Sequence, residues 1–126
     1  MNKHLLFAAS LLIFLAGFTA CKKATINELK VQIAGKWNIT NIQPSPALPP
    51  VLPGDYYDFE DGEDDGVEIK RSGQTQKGHY TIVVNKGINI VVGGKTYFCQ
   101  VTTVNEDVLE FTSTEGNETE TVYLKR

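Results

Sequence analysis

The sequence predicts an all-β fold, an eight-stranded antiparallel up-and-down barrel preceded by one short helix. Apolar residues alternate with polar ones in eight short runs between residue 36 and the end of the chain. Tight-turn sequences such as Ser72-Gly73 and Gly93-Gly94 separate these runs. Because no connection after the first is long enough for a crossover helix, neighbouring strands must run antiparallel, and the last strand can close on the first.

The composition is that of a single globular domain, with 126 residues of which 41% are hydrophobic and 21% are charged. Without the leader described below, 11 basic and 15 acidic residues remain, a net charge of −4. This acidic balance disfavours nucleic acid as a partner. Cys99 and His79 would be the remaining cysteine and histidine, too few for a disulfide framework or a Cys/His zinc site. The sequence therefore predicts no cofactor.

The first 20 residues have the pattern of a secretory signal peptide, with an uncharged apolar run over residues 5–18. Thr19 and Ala20 directly precede Cys21, and this arrangement resembles the bacterial lipobox. In a lipobox the cysteine thiol receives a diacylglycerol group, and the amine freed by cleavage receives an acyl chain such as palmitate. Three acyl chains form a nearly permanent membrane anchor. We expect residues 21–25 to be a lipidated tether in the bacterial envelope, at the outer membrane, with its face undetermined. The alternatives are an ordinary signal peptide in which Cys21 has no role, or cleavage at another position.

A short helix is expected directly after the tether. Thr25 and Glu28 have the spacing of a capping box, and Leu29 and Ile33 share one apolar face. Gly35 follows where a helix C-terminus favours a residue with positive φ. We expect the apolar face of this helix to cover one end of the barrel.

Alternation defines both the strands and their inward faces. We predict strands at residues 36–43, 56–60, 66–71, 78–84, 88–92, 96–104, 108–112 and 120–126. The predicted inward residues are Tyr57, Phe59, Val67, Ile69, Tyr80, Ile82, Val84, Ile88, Ile90, Val92, Leu109, Phe111, Val122 and Leu124. The sixth strand is ambiguous, because one face carries Tyr97, Cys99 and Val101 while the other carries Phe98 and Val104.

The ends of the first and last strands should meet in a closed barrel. The inward alternation of the last strand places Arg126 near Trp37, the only tryptophan, at the start of the first strand. A guanidinium over an indole ring stabilises by about 0.5–2 kcal/mol. The alternative is a solvent-exposed C-terminal arginine.

The capped helix, the Gly35-x-Trp37 motif, the eight-stranded meander and the final Arg126 together resemble the lipocalin-like lipoproteins of Bacteroides-type bacteria. The resemblance covers residues 26–126, which we take as the barrel domain. It implies a small calycin-type barrel with an apolar ligand site at one mouth.

All five prolines lie within residues 44–53, which we call the proline loop, between the first two strands. Such a run favours extended polyproline geometry and overhangs the mouth of the predicted barrel. We predict a site for a small apolar ligand between this loop and an aromatic ring, formed by Leu48, Val51, Leu52, Tyr57, Phe59, Tyr97 and Phe111. Two alternatives remain: the loop packs only on its own barrel, or the barrel is filled by its own side chains and the loop docks an envelope protein.

Seven of the 15 acidic residues lie between residues 55 and 65. Asp61, Glu63 and Asp65, followed by Gly66, resemble the first half of a calcium-binding loop. The second half is missing, because Ser72 stands where a bidentate glutamate would be needed. A solvated hairpin is therefore the simpler interpretation.

No residue combination predicts catalysis. His79 could only activate a serine such as Ser72 or Ser113, and neither lies in a strand–turn–helix elbow or a glycine framework. Cys99 in mid-strand is typical of a small buried hydrophobic residue. The sequence thus predicts a membrane-anchored, lipocalin-like, non-catalytic protein that binds a small apolar ligand, with a packed protein-interaction module as the alternative.

Overall fold

The computed structural model describes residues 28–44, 50–62 and 64–126. Residues 28–33 form the described part of helix α1. The strands are β1 (Gly35–Gln43), β2 (Tyr56–Phe59), β3 (Gly66–Arg71), β4 (Gln74–Val83), β5 (Gly87–Val92), β6 (Lys95–Val104), β7 (Val108–Glu115) and β8 (Glu118–Lys125). In the part of the chain described, no helix is long and apolar enough to cross a membrane. Several predicted features lie outside the described residues: the signal peptide, Cys21, Thr25, Leu48 and Glu63.

The eight strands form a closed barrel in sequence order, and every neighbouring pair is antiparallel. The predicted up-and-down barrel is therefore confirmed. β1 pairs with β8 as well as with β2, so the sheet has no free edge. We call the end that carries the β2–β3, β4–β5 and β6–β7 connections the helix end. The opposite end, which carries the β1–β2 loop, is the open end.

The strand β4 begins at Gln74, four residues before the predicted start. Ser72 and Gly73 alone form the preceding turn, with φ of 53° and 77°, as a two-residue hairpin turn requires. The first residues of β4 are polar, so apolar alternation does not reveal them. The interior position predicted for Val84 is wrong: the strand ends at Val83, and Val84 is 69% exposed in the following turn.

A bulge resolves the ambiguity in β6. Tyr97, Cys99 and Val101 face the interior, whereas Phe98 is 58% exposed. The pairing with β7 shifts between Val101 and Thr103. This extra residue reverses the alternation, so Val104 also packs against the core.

The helix end of the barrel is filled by tightly packed side chains. Phe59 and Tyr80 contact each other edge to face, with ring centroids 5.2 Å apart. Leu29 and Ile33 of α1 are buried in the same core. All core residues of the described chain lie between residues 29 and 124. A chain of residues 24–126 contains all of these core residues and is therefore suitable for binding and unfolding experiments.

Trp37 and Arg126 join the helix to the closure of the barrel. The Trp37 indole Nε1 donates to the Ile33 carbonyl at 2.8 Å, and the Arg126 guanidinium carbon lies 4.0 Å from the Trp37 ring centroid. Arg126 Nη2 also donates to the carbonyls of Gln32 and Ala34, at 3.0 Å and 2.6 Å. These bonds satisfy carbonyls at the C-terminus of α1, which the helix itself leaves unpaired.

Candidate ligand-binding site

A cavity of about 340 Å³ lies inside the open end of the barrel. It is built by the final inward residues of several strands and by the turn between β3 and β4. Its lining residues are Tyr57, Ile69, Arg71, Ser72, Gln74, Gln76, Ile90, Val92, Tyr97 and Ser113. The barrel therefore has a packed half at the helix end and a hollow half at the open end.

The cavity has a polar wall that the site predicted from the sequence does not contain. β3 alternates inward from Ile69 to Arg71, and β7 alternates from Phe111 to Ser113. On β8 the same alternation, followed back from Val122, reaches Glu120. The signal was present in the sequence: extending the inward alternation by two residues toward the open end leads from apolar to polar side chains.

An ion pair crosses the interior beside the cavity. Arg71 Nη1 donates to Glu120 Oε1 at 2.6 Å and Nη2 donates to Oε2 at 3.0 Å. The two side chains keep only 18% and 25% of their surface exposed. Because β1 and β2 lie between β8 and β3 in the barrel, this pair spans the opening. Arg71 Nε is buried and has no hydrogen-bond partner among the described residues.

Two other ionisable groups inside this end of the barrel, the Tyr57 hydroxyl and the Cys99 thiol, are held neutral. Burial raises the pKa of the Tyr57 hydroxyl far above its ordinary value. Burial likewise raises the pKa of the Cys99 thiol to about 11, although a hydrogen bond with Ser113 opposes the shift. Cys99 is therefore a buried, protonated thiol at neutral pH.

Only part of the predicted aromatic ring borders the cavity. Tyr57 and Tyr97 line it. Phe59 and Phe111, at 0% and 1% exposed, lie in the packed core and are not among the lining residues. The reason is depth: Phe111 stacks edge to face on Tyr57 at 5.3 Å and fills the space on the core side of that ring.

The described part of the proline loop does not line the cavity either. Val51 is half-buried and packs against the core, whereas Leu52 is 43% exposed. Ser72 Oγ donates to the Pro50 carbonyl at 2.6 Å, which ties this segment to the β3–β4 turn. The described residues 50–53 thus lie beside the opening, and Pro50 is hydrogen-bonded to the β3–β4 turn.

Asp55 holds this arrangement together from a buried position, at 1% exposed. Its carboxylate accepts N–H groups from Leu52 at 2.9 Å, Ser72 at 2.7 Å and Gly73 at 3.1 Å. Burial alone would raise the pKa of Asp55 above its ordinary value of 3.8, but these donors, with the charge of Lys70, outweigh burial and lower it. Asp55 therefore acts as an ionised link between two connections at the open end.

We expect Asp55→Asn to lower the free energy of unfolding by about 1–3 kcal/mol at neutral pH, because the amide leaves buried N–H donors unpaired. A depressed pKa stabilises the fold above the unfolded value. That contribution disappears as pH falls from about 3.8 through the folded-state pKa. Urea unfolding of both chains across this range should show their difference shrinking on acidification. Asp61→Asn, at an exposed position, is the control; an equal effect there would contradict the assignment.

The remaining predicted site residues are not brought together. Asp65 is paired with Lys30 at 2.5 Å, and Glu63 lies outside the described residues, so the calcium hypothesis stays a prediction. His79 is exposed on an outer groove of about 470 Å³, where its Nδ1 lies 3.2 Å from the Asp64 carbonyl. Ser113 lies inside the barrel, so the sheet separates it from His79.

Comparison with known proteins adds no family to this description. No protein-family model, curated protein or solved structure matches the chain. The candidate site therefore depends on its own geometry.

Proposed function

We propose that the chain is a non-catalytic, lipocalin-like binding protein that holds one small molecule in the cavity at the open end. The cavity carries the proposal: about 340 Å³ of space lies in a barrel whose other half is packed. Pockets that bind small molecules range from about 300 to 1,000 Å³. A volume near the lower limit favours a compact ligand.

The lining changes the expected chemistry of the ligand from apolar to amphipathic. Ile69, Ile90 and Val92 give the cavity an apolar surface. The remaining lining residues are tyrosines, glutamines, serines and Arg71, which can donate or accept hydrogen bonds. A few polar groups among apolar ones fix the orientation of a ligand in such a pocket.

The proposal includes attachment to the bacterial envelope through lipid on Cys21. The helix α1 lies at the helix end, and Cys21 precedes its described part by only a few residues. An anchor there leaves the open end on the side of the barrel away from the attachment point. The ligand would then enter from the aqueous phase rather than directly from the bilayer.

A protein-interaction module remains the second candidate, favoured by one observation. Leu52 of the proline loop is 43% exposed beside the open end. In that case the loop would dock an envelope protein and the cavity would remain without a ligand.

The test measures binding of N-phenyl-naphthylamine, an uncharged amphipathic dye that fluoresces in apolar surroundings, to residues 24–126. Val92→Phe fills the cavity and should weaken binding about tenfold or more. Val91→Phe is the matched control, because Val91 is 49% exposed and borders the outer groove but not the cavity, whereas Val92 borders both and Ser113 borders only the cavity. Ser113→Leu fills the cavity from a different strand, in case Val92→Phe does not fold.

Absence of dye binding to the unsubstituted barrel would overturn the proposed function. Equal weakening by Val91→Phe and Val92→Phe would also overturn it, since the dye would then occupy the outer groove. The expected result is that dye binding is weakened only in Val92→Phe and Ser113→Leu, the two variants that fill the cavity.

A further inference from the structure

The Arg71–Glu120 pair controls the electrostatics of the cavity because, among the described residues of the lining, it contains the only charged side chain. Arg71 is that side chain, and both of its terminal nitrogens bond to Glu120. The guanidinium charge is therefore cancelled by a carboxylate at 2.6 Å and 3.0 Å. A bidentate pair fixes both groups in one geometry.

Among the described residues that line the cavity, no charge other than that of Arg71 is present. Asp55, a buried carboxylate at the same end of the barrel, is engaged by three backbone N–H groups. The hydroxyl of Tyr57 and the thiol of Cys99 are neutral at physiological pH. The amides of Gln74 and Gln76 supply donors and acceptors without charge.

The pair opposes the binding of a charged ligand. An anion that bound the two terminal nitrogens of Arg71 would have to displace Glu120 and leave a largely buried carboxylate unpaired. An anion that bound the unpartnered Nε–H instead would be repelled by the Glu120 carboxylate. A cation could approach Glu120 only against the repulsion of Arg71. An uncharged polar group avoids both costs and can bond the glutamine and serine side chains directly.

We infer that the cavity selects amphipathic ligands with an uncharged hydrogen-bonding headgroup, such as an amide or alcohol, and that Glu120 determines this specificity. The inference rests on the proposed function and names the ligand class of the same site. In the native barrel Glu120 occupies the nitrogens that a carboxylate ligand would otherwise use. Removing its charge exposes a cationic anchor inside the cavity.

The experiment displaces N-phenyl-naphthylamine from residues 24–126 with three compounds that share one chain: octanamide, octanoate and octylammonium. Octanamide should displace the dye at a concentration about tenfold or more below that of either ion. In the Glu120→Gln variant, the affinity for octanoate should rise about tenfold, while the affinity for octanamide should change little. Glu118→Gln is the matched control, since Glu118 lies two residues earlier on β8 and is exposed.

Stronger displacement by octanoate than by octanamide in the unsubstituted barrel would overturn the inference while leaving the binding function intact. Failure of all three compounds to displace a bound dye would do the same, because an uncharged headgroup would then confer no advantage. If the Glu120→Gln variant does not fold, the order in which the three compounds displace the dye from the unsubstituted barrel still tests the inference. Failure of the dye itself to bind would instead overturn the proposed function.

Discussion

Trp37→Ala should lower the free energy of unfolding by about 3–5 kcal/mol, the loss typical of a fully buried large aromatic side chain. Trp37 is 0% exposed and joins three parts of the helix end: the β1 strand, the Ile33 carbonyl and the Arg126 guanidinium. Truncation leaves a cavity there and removes a hydrogen bond. Because small domains are stable by only about 5–15 kcal/mol, the variant should be close to unfolding at ambient temperature.

Chemical unfolding followed by circular dichroism measures this change, since the variant lacks the only tryptophan as a fluorophore. Phe98→Ala removes an aromatic ring that is 58% exposed on the outer surface and serves as the control. It should change the free energy of unfolding by less than about 0.5 kcal/mol. A similar decrease in the free energy of unfolding for both substitutions would contradict the assigned role of Trp37 in stabilising the helix end.

The second large effect should come from breaking the interior ion pair on one side only. Arg71→Met leaves the Glu120 carboxylate without its partner in a largely buried position. Loss of one partner of a fully buried pair costs about 3–5 kcal/mol, and the residual exposure of this pair places our expectation at about 2–3 kcal/mol. Urea unfolding at neutral pH measures the loss.

The double variant Arg71→Met/Glu120→Met should recover most of that stability, because two apolar side chains leave no charge unpaired. Lys77→Met is the control for removing a cation, since Lys77 is 75% exposed and lies 3.6 Å from Glu68. A double variant as unstable as the sum of the Arg71→Met and Glu120→Met single variants would show that the two side chains are not energetically coupled, and would contradict this expectation.

The strands and their order could be predicted from the sequence because both depend on local signals. Alternation places Ile88, Ile90 and Val92 inside β5, and the glycine turn at residues 93–94 fixes the next hairpin. The start of β4 depends on a polar stretch with no such signal, and the bulge in β6 depends on its pairing with β7. Local patterns therefore predict the barrel but not every boundary.

The candidate site could be predicted less completely from the sequence, because its polar contacts join distant parts of the chain. Arg71 and Glu120 are 49 residues apart in sequence, and Asp55 is bonded to a turn 17 residues away. Whether an inward side chain borders a cavity also depends on packing depth, which alternation does not give. Phe59 and Tyr57 have the same inward alternation, yet only Tyr57 lines the cavity.

The most direct test of the central claim, that the open end holds a small molecule, is an amide proton–nitrogen NMR titration of residues 24–126 with N-phenyl-naphthylamine. Signals of Gln76, Tyr97 and Ser113 at the cavity should shift in proportion to occupancy. The single Trp37 indole signal, at the helix end, should not move. Shifts centred on the outer groove at His79, or on Trp37, with an unperturbed cavity would contradict the account.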